Sequence, residues 1–298
     1  MKLISVEVFV ISLTILVSIS FASIFVLLAN APAPVCAFWR LLISTSILAT
    51  ALAVKGGLGG VANVLRNPKY LVLTIASGTA LATHFLLWME SLFYVSVAVS
   101  VTIVVSYPLF NLLIDYLLLK ERLRITQVVA LLTGFTAIAL FMSPRVSGVR
   151  SIYGVVLALT GALAASAYFS IGRVLRRFEG TLEYAVTVYG VATAVLLTYN
   201  LVTSTDFIHY GIKSYMYFVL LAVVPMIGGH TLMNYLLKYM KSSTVTSIAL
   251  GEPVGASILA YLILNQYVTP TQALLMTVVI TSILIIVREE VRSGSNLP

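Results

Sequence analysis

A carboxylate followed by proline, Glu252-Pro253 in "ALGEPVGASILAYLIL", stands inside a long run of apolar and small residues. Pro253 has no backbone N–H to donate and so frees the carbonyl of Ala249, four residues back. Gly251 and Gly255 make a G-x-x-x-G, which lets a second backbone come close. A buried carboxylate beside a freed carbonyl can hold a cation, a proton or a polar solute. The same residues also suit a packing kink whose glutamate pairs with a neighbour, and the residues alone leave both readings open.

Other chemistry-bearing groups are few enough to weigh singly. His84 and Trp88 lie four residues apart, as do His230 and Asn234. Each such pair shares a helix face. Histidine titrates near neutrality and can carry a proton; Trp88 offers a face for stacking or for a cation. A buried histidine also serves as a simple interhelical hydrogen-bonding group. Tyr107, Asn111 and Asp115 recur every four residues, so one helix face carries all three. A lipid-facing row would leave amide and carboxylate unsatisfied, so this face is expected to point inward, with Asp115 pairing a basic residue such as Lys120. Arg40 and Glu90 are expected to form a structural ion pair near one membrane surface. A cavity-facing Arg40 would instead select substrates bearing carboxylate or phosphate. Tyr168, beside the small Ala164 and Ala165, either lines a cavity or packs.

These groups need helices to position them. The chain has 298 residues, 60% of them hydrophobic and 9% charged; a soluble protein carries roughly 25% charged residues. Ten apolar stretches have about the length that crosses a bilayer: Ile4–Leu28, Pro34–Val54, Lys69–Leu92, Ser96–Leu119, Ile125–Met142, Ile152–Gly172, Tyr184–Thr203, Tyr215–Leu237, Thr244–Leu264 and Pro270–Val287. An all-α membrane protein of ten transmembrane helices is expected, with short connections. The longest is the glycine-rich "KGGLGGVANVLRNP". Lys2, the following apolar run and Ala29-Asn30-Ala31 imitate a cleavable leader, but the run is longer than a leader's apolar core and is read as a retained first helix. The lone cysteine, Cys36, excludes an internal disulfide and a cysteine-based metal site, and no cofactor or metal motif occurs.

The basic residues set the orientation. With the N-terminus inside, cytoplasmic segments hold fourteen Lys and Arg and the outer ones three, Arg145, Arg150 and Lys213. Both termini are therefore expected in the cytoplasm, in a multi-pass protein of the cytoplasmic membrane. The formal charge of +8 follows this loop distribution and is no sign of nucleic-acid binding. The chain also repeats itself. "YPLFNLLIDYLLLKERLRITQ" (Tyr107–Gln127) matches "EPVGASILAYLILNQYVTPTQ" (Glu252–Gln272), 145 residues on, at six positions: the Pro, the Tyr, two Leu and the closing Thr-Gln. Lys120, Arg122 and Arg124 become Asn265, Tyr267 and Thr269, while the uncharged Val95–Val97 becomes "KYMKSS". Five spans is an odd number, so a second copy enters the membrane with opposite polarity. Its loops then exchange charge in this way. Two inverted five-helix repeats are expected, residues 1–143 and 151–288.

This arrangement resembles the drug/metabolite transporter superfamily, and its EamA-type exporters in particular. The resemblance rests on "APVCAFWRLLIS", "HFLLWMESLFYVSVAVS", "YPLFNLLIDYLLLKERLRITQVVALLTGF" and "GEPVGASILAYLIL", in that order along essentially the whole chain. Gln266 departs from the pattern, standing where the place matching Glu121 would hold a second glutamate. The resemblance implies a ten-helix bundle, a substrate cavity between the repeats and alternating access. It leaves the substrate open among amino acids, nucleotide-sugars, sugar phosphates and drugs.

From these readings the expected function is secondary transport of a small metabolite, amino acids or related compounds, outward across the membrane. The expected substrate-binding residues are His84, Trp88, Tyr107, Asn111, Tyr168, His230, Asn234 and Glu252, with protons as a candidate coupling ion. A flippase for lipid or lipid-linked substrates would use the same fold. An intramembrane enzyme is disfavoured, because no H-E-x-x-H or G-x-S-x-G occurs. No P-loop is present for ATP-driven transport.

Overall fold

Each long apolar stretch becomes helix, and the interruptions fall where a proline or a close approach of backbones forces them. The computed structural model describes residues 5–119, 124–142 and 151–292. Helices α1 (Ser5–Ser20) and α2 (Ala22–Leu28) share one stretch, interrupted at Phe21. After them come α3 (Ala33–Val54), the short α4 (Leu58–Arg66), α5 (Pro68–Ser91), α6 (Val97–Val104), α7 (Tyr107–Leu119) and α8 (Ile125–Met142). The second half begins with α9 (Ile152–Leu175), α10 (Thr181–Val202) and α11 (Ile212–Leu221). A π-helical segment, Ala222–Thr231, leads from α11 into α12 (Leu232–Leu236). Helix α13 (Ser242–Ser247), a 3-10 turn (Ile248–Gly251), α14 (Glu252–Leu264) and α15 (Pro270–Arg292) complete the chain. There is no strand among the described residues. Eight of the helical stretches there are long and apolar enough to cross a membrane; the apolar parts of α8 and α15, Ile125–Ala137 and Pro270–Ser282, are shorter. The protein is an all-α, multi-pass membrane protein.

Proline sets the two most telling breaks. The stretch Ser96–Leu119, expected as one helix, stops at Val104 and restarts at Tyr107 with Pro108 in its first turn. Its counterpart tightens to a 3-10 turn over Ile248–Gly251 and restarts at Glu252 with Pro253 in its first turn. A first-turn proline loses nothing, since that N–H has no helical partner anyway. Pro225 inside the π segment widens the helix there, and such wide turns concentrate at functional sites. The expected loop after α3 is partly helical instead. Asn67 caps α5 by accepting from the N–H groups of Lys69 and Tyr70, and α4 packs against α10.

Local structure repeats at the same 145-residue offset as the sequence. The Gln127 side chain accepts from the backbone N–H of Arg124 (3.0 Å), and that of Gln272 from Thr269 (3.0 Å). Each glutamine reaches back from the third helical position to the cap residue, which gives the recurring Gln the same role at both sites. The turns after α5 and α12 also match. Phe93 and Lys238, Tyr94 and Tyr239, and Val95 and Met240 donate to equivalent carbonyls.

Packing joins the halves rather than separating them. Helix α1 lies against the π segment and α14; α3 against α10; α5 against α9; α6 and α7 against α14, α13 and α9; and α8 against α15. Every long helix of the first half thus has its main partner in the second. Close approach is bought with small residues: a Cβ on Gly251 would meet Leu16, and one on Gly255 would meet Ser20. The outer faces of the helices expose Phe9, Val17, Leu132, Leu262 and Leu284, as lipid requires. The Asp115 side chain, Lys120, Glu121, Arg145 and Arg150 lie outside the described residues.

Candidate functional site

The seam between the halves holds a small cavity of about 20 Å³ with mixed polar and apolar walls, lined by Ile19, Ala22, Arg40, His84, Trp88, Val104, Tyr107, His230, Met233 and Glu252. Space of that size holds about one water molecule. The helix breaks surround it. Glu252 and Tyr107 open the second segments of their interrupted helices, His230 sits in the π segment, and Ala22 follows the break at Phe21. A carboxylate in a first helical turn meets the positive end of the helix and its unpaired N–H groups.

Arg40 enters from α3 and is buried to 1% exposure, its guanidinium stacked 4.1 Å above the ring of Phe85. Its Nε and Nη1 find no hydrogen-bond partner among the described residues. Glu252 is buried too, and it attracts Arg40 electrostatically without an ion pair at 4.0 Å or less. The two charges face one cavity but do not neutralise one another by contact.

His84 and His230 come together from α5 and the π segment, with ring centroids 6.1 Å apart. The Nδ1–H of His84 donates to the carbonyl of Gly161 (2.9 Å). That bond fixes the neutral tautomer and leaves Nε2 as the acceptor. The His84 ring stacks on Trp88 at 6.0 Å, and His230 stacks on Phe169 at 5.8 Å. The indole N–H of Trp88 and Nδ1 of His230 are buried with no partner among the described residues.

A second layer of polar groups adjoins the cavity. Tyr168 donates to the Asn234 carbonyl oxygen (3.0 Å), the Asn234 amide donates to the Tyr189 hydroxyl (3.0 Å), and Tyr189 meets Thr231 at 3.1 Å. The Tyr168 ring lies 6.2 Å from that of His230. Asn111 faces inward as its spacing indicated, yet it serves a joint: its amide donates to the Ser166 carbonyl and to the Ser170 hydroxyl, both at 2.9 Å.

One expectation is corrected. No ion pair joins Arg40 to Glu90. Arg40 turns to Phe85, and Glu90, five residues further along α5, is rotated roughly 140° away around the helix. Glu90 instead lies beside Tyr94, where its charge pushes the tyrosine hydroxyl above its ordinary pKa. The site also contains groups the sequence reading missed: Phe85 under Arg40, Phe169 under His230, and Tyr189. Their apolar or amphipathic character hid them among similar lipid-facing residues.

Comparison with known proteins bears on what such a seam does. The model of the EamA-like transporter family matches this chain twice, over residues 5–143 and 152–288. The chain belongs to the EamA-like transporter family. This EamA-like chain is 25% identical over 175 residues to an uncharacterized transporter of Archaeoglobus fulgidus, 58% of this chain and 60% of that protein. It is 27% identical over 168 residues to the uncharacterized inner membrane transporter YhbE of Escherichia coli K12, 55% and 52% of the respective lengths. The chain thus spans only about half to three-fifths of those two relatives. A solved crystal structure shares the fold at a TM-score of 0.71 and 18% identity, covering 96% of this EamA-like chain and 98% of the other. In the EamA-like chain, then, six of the ten residues singled out from sequence line one cavity: Arg40, His84, Trp88, Tyr107, His230 and Glu252. Tyr168 and Asn234 back it, whereas Asn111 and Glu90 stand apart.

Proposed function

We propose that this transporter has ten membrane-spanning helices in two inverted five-helix repeats, residues 1–143 and 151–288. It would carry a small zwitterionic metabolite, an amino acid or a related compound, outward across the cytoplasmic membrane by alternating access. Both termini would lie in the cytoplasm. The inverted arrangement is supported by the reciprocal helix pairing, by the glutamine caps 145 residues apart and by the charge exchange between equivalent loops.

The observation that carries the substrate class is the convergence of unpaired polar atoms on the seam cavity. Buried polar groups are nearly always hydrogen-bonded. Here Arg40 and Trp88 line the cavity and carry buried donors with no partner among the described residues, and Glu252 lines the same cavity. A substrate carboxylate would take the donors and its ammonium would take Glu252, with Trp88, Tyr107 and Ile19 against its apolar part. A cavity of about 20 Å³ is too small for an amino acid, so loading requires the helices to part on one side. Glu252 is the candidate proton carrier.

Reconstitution tests the reading. Proteoliposomes loaded with an unlabelled amino-acid panel should take up labelled amino acid by exchange, and Glu252→Gln and Arg40→Met should abolish it. Absence of exchange for every water-soluble compound, with labelled phospholipid crossing the bilayer instead, would establish the flippase reading.

A further inference from the structure

Away from the cavity, the end of the bundle carrying residues 173–181 holds a charged cluster in an unusual bonding state. Arg176, 1% exposed, follows α9 and spends its guanidinium on three uncharged acceptors. Its Nε donates to the backbone carbonyl of Asn234 (2.9 Å), Nη1 to the carbonyl of Glu179, and Nη2 to the Thr181 hydroxyl (2.6 Å). One turn earlier, Arg173 Nη1 donates to the carbonyl of Leu237 (2.7 Å). These two arginines tie α9 to the end of α12. Beside them Glu179 is buried to 7% exposure, and neither carboxylate oxygen has a hydrogen-bond partner among the described residues. Arg176 attracts it, Glu183 repels it, and Tyr184 lies within electrostatic reach. No Arg176–Glu179 ion pair exists at 4.0 Å or less.

A buried arginine that bonds neutral oxygens while a carboxyl group next to it goes without a partner is poised to change partners. A charge-assisted bond to a carboxylate is roughly twice as strong as one to a neutral acceptor. What holds the present arrangement is the position of Asn234, whose carbonyl occupies Nε. That same residue joins Tyr168 and Tyr189 through its side chain, and Tyr168 touches His230 at the cavity. A shift at the cavity therefore has a short bonded route to the arginine.

We propose that Arg176 is a partner-exchange latch: it holds α12 through the Asn234 carbonyl while this end of the bundle is closed, and passes to the Glu179 carboxylate when α9 and α12 part. This rests on the alternating-access reading and names the residues that gate one side of it. The loop charges put that side in the cytoplasm.

The test uses a Cys36→Ser background, since Cys36 is the chain's one cysteine. A reporter, Met233→Cys, is placed at a cavity residue exposed by only 1%. Inside-out vesicles are treated with a membrane-impermeant thiol reagent, which reaches the reporter only through the cytoplasmic side. Glu179→Gln removes the second partner while keeping shape, and is expected to slow labelling at least about threefold. Arg176→Gln is expected to speed labelling about tenfold, and adding Glu179→Gln to it should change nothing more. Labelling of Glu179→Gln at the parental rate, or faster, overturns the latch. Should Arg176→Gln fail to fold, the isosteric glutamate variant alone decides. The readout needs no substrate, so a failed latch leaves the transport assay intact, and a failed transport assay leaves the labelling result interpretable.

Discussion

Arg40 and Glu252 face one cavity without touching, so each is expected to depend energetically on the other. Two unit charges 4 Å apart attract by about 4 kcal/mol at an effective dielectric of 20 and by about 1 kcal/mol in water. The pair is buried and not in contact, so its coupling lies between those figures. A double-mutant cycle of Arg40→Met, Glu252→Gln and the double variant isolates it. The stacking of Arg40 on Phe85 is lost equally in the single arginine variant and the double, and so cancels. In large domains 1 kcal/mol moves a melting temperature by about 2–4 °C. The melting temperature of the detergent-purified double variant should therefore fall several degrees less than the sum of the two single losses. Strict additivity, within about 0.5 kcal/mol, would refute the claim that these charges act on one another.

Gly78→Ala would place a Cβ 2.6 Å from the Val191 side chain and 2.8 Å from the Val188 carbonyl oxygen; this overpacking should cost about 1–3 kcal/mol, read as a lower melting temperature. Gln127→Ala and Gln272→Ala each remove a capping bond and should each cost about 0.5–2 kcal/mol; protection from hydrogen exchange should drop in the first turns of α8 and α15, and unchanged protection would show the caps are idle. Burial raises the Glu179 carboxyl from 4.5 to about 7, against the pull of Arg176. Between these values the folded protein binds the proton and the unfolded chain does not, so stability should fall as pH rises from about 4.5 to about 7 and level off above. Glu179→Gln should lose that slope in a melting series across the window.

The helices were legible because ten long apolar runs leave little else for the backbone to do in lipid. The proposed inversion rests in the sequence on loop charge, since Lys120, Arg122 and Arg124 have uncharged counterparts. Glu252, Arg40 and the histidines stood out because polar groups are costly there. What the sequence withheld were the partners. Arg40 sat at a plausible depth for Glu90, and only the rotation of α5 decided for Phe85. Arg173 and Arg176 read as ordinary basic loop residues, because charge counting cannot tell a solvated arginine from one turned inward onto a carbonyl. Gln266, noted as a departure, accepts from the Val97 N–H (3.0 Å), a bond across the two halves that a local motif cannot reveal.

The crosswise partnering of helices has a consequence for synthesis. The ribosome delivers α1 to α8 before the principal neighbours of their long helices exist, so Asn111 enters the bilayer without the Ser166 carbonyl and Ser170 hydroxyl that take its amide. The nascent half must wait, loosely gathered in lipid or beside an insertion chaperone, until α9 to α15 emerge to complete it. Cut between residues 143 and 151, the two fragments should be degraded when made singly and should rescue one another when made together.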